Sequence, residues 1–291
     1  MQLRKEVAKL TEMAEAADRT DTPDGMSIPE ELARRDKRLA EIARARAIIE
    51  ARAKERYARE KAEHDAKLAA REANTAATGK KPRGRPPVPP VDAPDPSDQV
   101  NLTDEASRIM PVAGGGFEQC HNAQAVVATG SLLVVASGVT QAPNDKQQVV
   151  PMLVALAALP NALGEVENLL ADTGYFSEAN INACAATGIE PLIARDRQSH
   201  YPKLEERAAA DPPAPENPTP VQAMGHRLQT KAGKELYALR KQTPEPVFGI
   251  IKSVMGFRQF SMRGLEKVRG EWSLVTMCRN IKRMFALAAA V

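Results

Sequence analysis

The stretch Leu169-Leu-Ala-Asp-Thr-Gly-Tyr-Phe-Ser-Glu-Ala-Asn-Ile181 decides how the rest of the chain is read. The apolar run Leu169–Ala171 leads straight into Asp172, and Thr173-Gly174 breaks it. Ser177 then stands three residues before Asn180, where an N-cap would sit ahead of a new helical pattern. The order predicted is strand, acidic strand end, turn, helix. In an open α/β sheet, ligands bind beyond the carboxyl ends of the strands, so Asp172 is presented where a metal or substrate would lie. The plainer alternative is that Asp172 only caps its turn, as aspartate often does.

Working outward, the pattern remains α/β. Gly188 should stop the helix that begins near Ser177, and Glu190-Pro-Leu-Ile-Ala194 reads as the next strand. Upstream, Ala123–Val127 and Leu132–Ala136 are β-prone runs separated by Thr129-Gly130, which predicts a hairpin. Asp145 precedes an amphipathic run from Gln147 and is most simply its cap. Strand–helix alternation of this kind implies a mixed sheet with a parallel portion. The polar, proline-rich stretch Gln198–Ala223 reads as an insertion or long loop. Lys234–Gln242 and Trp272–Leu287 read as amphipathic helices. Glu245 falls in the first turn of the helical stripe Val247, Phe248, Ile251 and Val254, where a carboxylate is favoured by the helix dipole.

The first third of the chain is different. Residues 1–18 read as a short Ala/Glu/Lys-rich helix, Asp21–Gly25 as a turn, and Ser27 with Glu30 as a capping box. A long helix to about Glu72 follows, and the pair predicts an antiparallel helical hairpin (residues 1–73) with a capacity for self-pairing. Residues 74–99 read as an extended linker with seven prolines from Pro82 to Pro96. Within it, Lys80-Lys-Pro-Arg-Gly-Arg-Pro86 resembles the AT-hook core. Arg83 and Arg85 could lie along a narrow minor groove, with Gly84 allowing close approach. A plain solvated linker is the alternative. Residues 100–291 form the α/β domain.

Composition narrows the function classes. The formal net charge is only +3, yet Lys231–Arg283 holds twelve Lys/Arg against four acidic residues, an excess of +8. A local basic surface of that kind suits a polyanion. Cys120, Cys184 and Cys278 are far apart and form no C-x-x-C pair, so they read as buried, reduced thiols in a cytoplasmic protein. The four histidines show no ligand spacing, and no apolar run approaches the ~18 residues of a membrane span.

Three segments together resemble the DDE-type transposases of bacterial insertion sequences. They are His121-Asn-Ala-Gln-Ala125, Ala171-Asp-Thr-Gly-Tyr-Phe-Ser-Glu178, and Tyr237-x-x-Arg240 followed by Glu245-Pro-Val-Phe-Gly-Ile-Ile-Lys252. The likeness runs from about Gln99 to Ala286, and residues 1–98 look like the helical insert of some members. The resemblance implies an RNase H-like fold whose carboxylates hold two Mg²⁺ or Mn²⁺ ions, with Asp172 and Glu245 as the second and third ligands. It implies that Tyr237, Arg240 and Lys252 approach the phosphates of transposon-end DNA, with Lys241 adding charge. Two-ion chemistry fits phosphodiester cleavage, since one ion activates the nucleophile and the other stabilises the leaving oxygen. In this family the first carboxylate lies on an opening strand upstream of the insert. The expectation here is therefore an incomplete RNase H-like mixed sheet with flanking helices, lacking its first strand and first ligand, and weakly active or inactive. Asp145 and Asp104 remain as acids, but neither is read as ending a strand. The alternatives are a non-catalytic DNA-binding protein, using the Arg83-Gly-Arg85 hook and the basic C-terminal helices, and a helical scaffold. A homodimer is left open.

Overall fold

The computed structural model describes residues 5, 7–9, 11–12, 28–80, 84–112, 114–196 and 210–289. The expected turn at Asp21–Gly25, the Ser27 cap, Arg83 of the hook and most of the first helix lie outside the described residues. The chain divides into two compact units, Met1–Glu105 and Ala106–Val291.

The first unit is dominated by α1 (Ile28–Thr78), 51 residues long. It runs past the expected end near Glu72, because Asn74-Thr-Ala-Ala-Thr contains no breaker before Gly79, whose φ is +67°. Its length is not matched by an apolar face, and Ala53 is its one buried hydrophobic side chain among the described residues. What holds it is the proline-rich segment, which does not behave as a free linker. Arg71 donates to the carbonyls of Gly84 (3.2 Å) and Arg85 (3.3 Å). Arg56 grips Asp98 with two bonds, at 2.8 and 2.9 Å, and Arg52 reaches the carbonyls of Gln99 and Glu105. Arg44 pairs with the Glu105 carboxylate. Proline supplies no N–H and favours an extended backbone, so the carbonyls of the non-proline residues along the segment are open to these guanidinium donors. The segment is a strap tied back along the helix.

The second unit is mixed α/β. Its strands are β1 (Arg108–Pro111), β2 (Phe117–Cys120), β3 (Asn122–Val127), β4 (Val134–Thr140), β5 (Asn168–Ala171) and β6 (Glu190–Ile193). Among the described residues they form three separate two-stranded ladders rather than the one mixed sheet expected. The hairpin β3–β4 is antiparallel as predicted, with a register shift between Val126 and Val127. The parallel portion is β5–β6, paired from Asn168 with Glu190 to Ala171 with Ile193. The antiparallel pair β1–β2 was not expected.

The helices are α2 (Val149–Ala157), α3 (Glu178–Ala186), α4 (Pro220–Arg227), α5 (Lys231–Gln242), α6 (Pro244–Gly249) and α7 (Leu265–Ala288). A π turn, Ile250–Val254, continues α6. Ser177 caps α3 by accepting from the Asn180 amide at 3.1 Å, and Gly188 ends that element with φ +75°. The supposed loop Gln198–Ala223 turns helical at Pro220, because Thr219 and Gln222 close a capping box around a proline in the first turn. Asp145 does not cap α2: the N-cap is Gln148, with no side-chain bond, and the Asp145 carboxylate is used elsewhere.

Helix α7 seats the hairpin. Val268 and Trp272 on α7 join Val134 and Val139 on β4 and Val247 and Ile251 from α6 and the π turn in one core. Each such side chain contributes roughly 1.5–3 kcal/mol on burial. The Trp272 indole stacks on Phe248 at 5.8 Å and donates to the Gln124 carbonyl at 2.9 Å. A second core, Ile181, Leu192, Ile193, Met224 and Leu228, packs β5–β6 under α3 and α4. No helix among the described residues is long and apolar enough to cross a membrane.

Candidate active site

Strand β5 delivers Asp172 as the sequence implied. The residue is exposed, and its Oδ1 accepts from the Gly174 amide at 2.9 Å, so it does cap the short 3₁₀ turn Thr173–Tyr175. One oxygen is thereby used locally, and a carboxylate has more acceptor capacity than one bond fills.

The fold brings Asp145 to the same place. Its Oδ1 accepts from Asn122 Nδ2 at 2.8 Å and from Gln124 Nε2 at 2.7 Å. A β-carbon built on Gly174 would lie 3.0 Å from Asp172 Oδ1 and 3.5 Å from Asp145 Oδ2. The two carboxylates therefore close on one glycine: an added β-carbon would sit in ordinary contact with Asp145 and press lightly on Asp172. The Tyr175 phenol registers both charges. Burial pushes its ionisation upward, and the nearby Asp145 and Asp172 push it further. It stays neutral and donates to Gln124 Oε1 at 2.5 Å. Gln124 is buried and serves as the junction: its amide holds Asp145 and Asn122, its oxygen takes the tyrosine, and its main chain takes Trp272.

On the other flank, Tyr237 of α5 donates to the Ala171 carbonyl at 3.1 Å, one residue before Asp172. The Arg240 guanidinium lies 5.6 Å from the centre of the Tyr237 ring. Burial raises the Tyr237 ionisation, and Arg240 partly opposes that rise. Among the described residues Arg240 Nε is buried with no acceptor. A shallow cavity of about 290 Å³ opens here, lined in part by Lys234, Tyr237, Arg240 and Lys241 and by no acidic residue. The positive sign suits an oxyanion.

Glu245 is exposed in the first turn of α6, and Lys252 is exposed in the π turn. Arg85 is exposed in the strap, its carbonyl held by Arg71, while its hook partner Arg83 lies outside the described residues. Among the described residues no group of three His, Cys, Asp or Glu stands arranged to hold a metal ion. The structure joins Asp172 to Asp145, Tyr175 and Tyr237. It does not place Glu245 in a three-carboxylate cluster with them.

Sequence reasoning missed the Asn122–Gln124–Asp145–Tyr175 network. A signal was present: Asn122 and Gln124 are two residues apart on a strand, so two amides share a face where an apolar pair is usual. The cysteine expectation holds for one thiol only. Cys184 is buried, Cys120 is half-buried and Cys278 is exposed.

Residues 214–285 match the family described as transposase DDE domain. The match supports a DDE-type transposase. It spans α4 to α7 nearly complete, and so covers Tyr237, Arg240, Glu245 and Lys252. No curated protein and no solved structure matches the chain.

Proposed function

We propose that this chain acts in DNA transposition as a divalent-metal-dependent phosphodiester-cleaving and strand-transferring protein of RNase H-like architecture, with transposon-end DNA as substrate. The observation that carries the reading is the convergence of Asp145 and Asp172 on Gly174, beside the cationic depression of Tyr237, Arg240 and Lys241. Mg²⁺ and Mn²⁺ prefer carboxylate oxygen, and each of these acids has acceptor capacity beyond the hydrogen bonds described. Two carboxylates fit such an ion: Asp172 and Asp145 would hold it, while Glu245 stands outside that pair among the described residues. When bound, the metal supplies activation of the attacking oxygen and stabilisation of the leaving one. The chain's own groups do the rest. Arg240, Lys241 and Lys252 neutralise phosphate, Tyr237 fixes the strand end through Ala171, and Asn122 with Gln124 orients Asp145.

A second reading rests on the excess of +8 across Lys231–Arg283 and the absence of a three-carboxylate group among the described residues. It is a DNA-binding protein without cleavage, using the basic C-terminal helices and the hook at Arg83 and Arg85.

Supercoiled plasmid incubated with the full chain and Mn²⁺ separates the two. The expected result is nicked circles with metal, none with chelator, and loss in Asp172→Asn. Nicking that survives Asp172→Asn sinks the first reading. Binding that weakens steeply with salt, in a protein that never nicks, supports the second.

A further inference from the structure

Between the π turn and α7 runs a loop, residues 255–264, that is pinned at several points along its length. Gly256, with φ +74°, turns the chain out of the π turn, and the Phe257 amide donates back to the Ile251 carbonyl at 3.0 Å. Gly264, with φ +83°, turns it into α7, where the Val268 amide donates to its carbonyl at 3.0 Å. Phe257 and Phe260 pack on Trp272, with ring centres 6.3 and 6.4 Å away, and Phe260 meets the His121 ring edge-on at 6.1 Å. Beyond them the amides of Ser261 and Met262 both donate to the Glu271 carboxylate, at 2.9 to 3.1 Å. Successive amides pointing one way make a concavity for an anion, and here α7 fills it with its own carboxylate.

The outward side of this loop is cationic. Arg258, Gln259, Met262 and Arg263 are exposed, and neither arginine makes a hydrogen bond or ion pair among the described residues. Residues 246–265 hold Lys252, Arg258 and Arg263 and no acid. Further along, Arg269 is neutralised by Glu266. A pinned loop has little ordering entropy left to lose when it meets a ligand, so its two unpaired guanidinium groups are presented ready for use.

We propose that this loop is a second DNA contact, in which Arg258 and Arg263 take backbone phosphates of a duplex and Glu271 is the positioning residue that keeps them turned outward. The proposal rests on the reading of transposon-end DNA as substrate. The planar guanidinium fork matches phosphate geometry. The loop lies within residues 214–285, the segment matched to the transposase family, and none of its residues lines the depression at Tyr237. Glu271 makes the reasoning testable by sign. Judged by charge alone, a carboxylate beside two cations weakens the hold on a polyanion, and its removal should tighten binding. As the loop's anchor, its removal should loosen binding instead.

The test is fluorescence anisotropy of a labelled duplex of about 30 base pairs with the full chain, across a salt series and with chelator present so that cleavage plays no part. The double variant Arg258→Ala, Arg263→Ala should bind at least about tenfold more weakly near 100 mM salt and lower the salt slope by about two. Glu271→Ala should weaken binding by about threefold or more, although it removes a negative charge. Glu271→Gln keeps an oxygen for the two amides and should bind as the wild type does. Lys37→Ala, an exposed cation on α1, serves as the control, and urea midpoints read through Trp272 confirm that each variant is folded. A double variant with wild-type affinity and slope, a Glu271→Ala protein that binds equally or more tightly, or a Lys37→Ala loss as large as that of the double variant would each overturn the proposal. If the wild type meanwhile nicks plasmid with Mn²⁺, the cleavage reading stands without the loop; a wild type that binds no duplex removes both. Anionic phospholipid vesicles that hold the wild type as firmly as duplex does, and release the double variant, would assign the loop to a membrane surface and overturn it as well.

Discussion

Replacing Gly233 by alanine should break the corner that sets Tyr237 on the strand end. Gly233 lies in the first turn of α5, where its amide donates to the Thr230 hydroxyl at 3.1 Å. A β-carbon built there would stand 1.7 Å from the Arg227 carbonyl oxygen and 2.7 Å from its carbon. Van der Waals contact needs about 3.5 Å, so α4 and α5 must part by nearly 2 Å. The obstacle is backbone, and no side-chain rotation relieves it. Overpacking of this kind costs 1–3 kcal/mol or more, and alanine's helix propensity returns about 1 kcal/mol. A backbone clash this deep belongs at the upper end of that range, so the net loss expected is about 3 less 1, or about 2 kcal/mol. Gly270 on α7 is the control: it is exposed, and nothing lies within 4 Å of a β-carbon there. Gly270→Ala should stabilise by about 0.5–1 kcal/mol. Both can be followed by urea unfolding through the fluorescence of Trp272, the one tryptophan in the chain. A Gly233→Ala midpoint equal to or above wild type would refute the steric reasoning. So would a Gly270→Ala protein that is the less stable of the two.

Two further perturbations follow from ionisation. Burial pushes the Cys184 thiol from 9.0 up to about 11. The unfolded thiol ionises first, so the native state is favoured below pH 9 and loses that advantage as pH rises through about 11. Unfolding of Cys184→Ala should lack this alkaline loss, and thiol reagents at pH 8 should modify Cys278 at once and Cys184 only on opening. In the first unit, the hydrogen bonds from Arg56 hold the Asp98 carboxyl below its ordinary 3.8. Its contribution is present above that value and lost as pH falls through the lowered one. The Asp95 amide donates to Asp98 Oδ2 at 2.8 Å, so its exchange, taken relative to the intrinsic rate at each pH, should be protected at pH 6 and unprotected in strong acid. Arg56→Ala should reduce that protection at pH 6, and full protection there would contradict the pinning.

Local order was legible where one residue's chemistry decides it. Ser177 and Gly188 delimit α3, and the β3–β4 hairpin follows from two β-prone runs about a turn. Asp172 could be placed at a strand end because the apolar run stops there. Partners distant in sequence could not be read. Asp145 looks like a helix cap because an Asp ahead of an amphipathic run usually is one. Two amides 23 and 21 residues upstream compete for its oxygen and win. The separation of the strands into three ladders is likewise a matter of which edges meet, and a periodicity of two carries no information on that. The strap reads as a linker because proline density argues against helix and sheet, and it does form neither. Arginines on α1 spaced to meet its carbonyls were invisible without knowing that the chain doubles back.

Those arginines grip the strap chiefly by its backbone oxygens: at Gly84, Arg85, Ala93, Gln99 and Glu105 they take carbonyls, and Asp98 is the main side chain they use. Recognition of that sort is blind to residue identity. Most of the strap can be rewritten without loosening the hold, provided the new residues keep it stretched out. Asp98 and Glu105, whose carboxylates Arg56 and Arg44 take, are the exceptions among the described residues, and there the identity of a letter helps set the alignment of the ribbon.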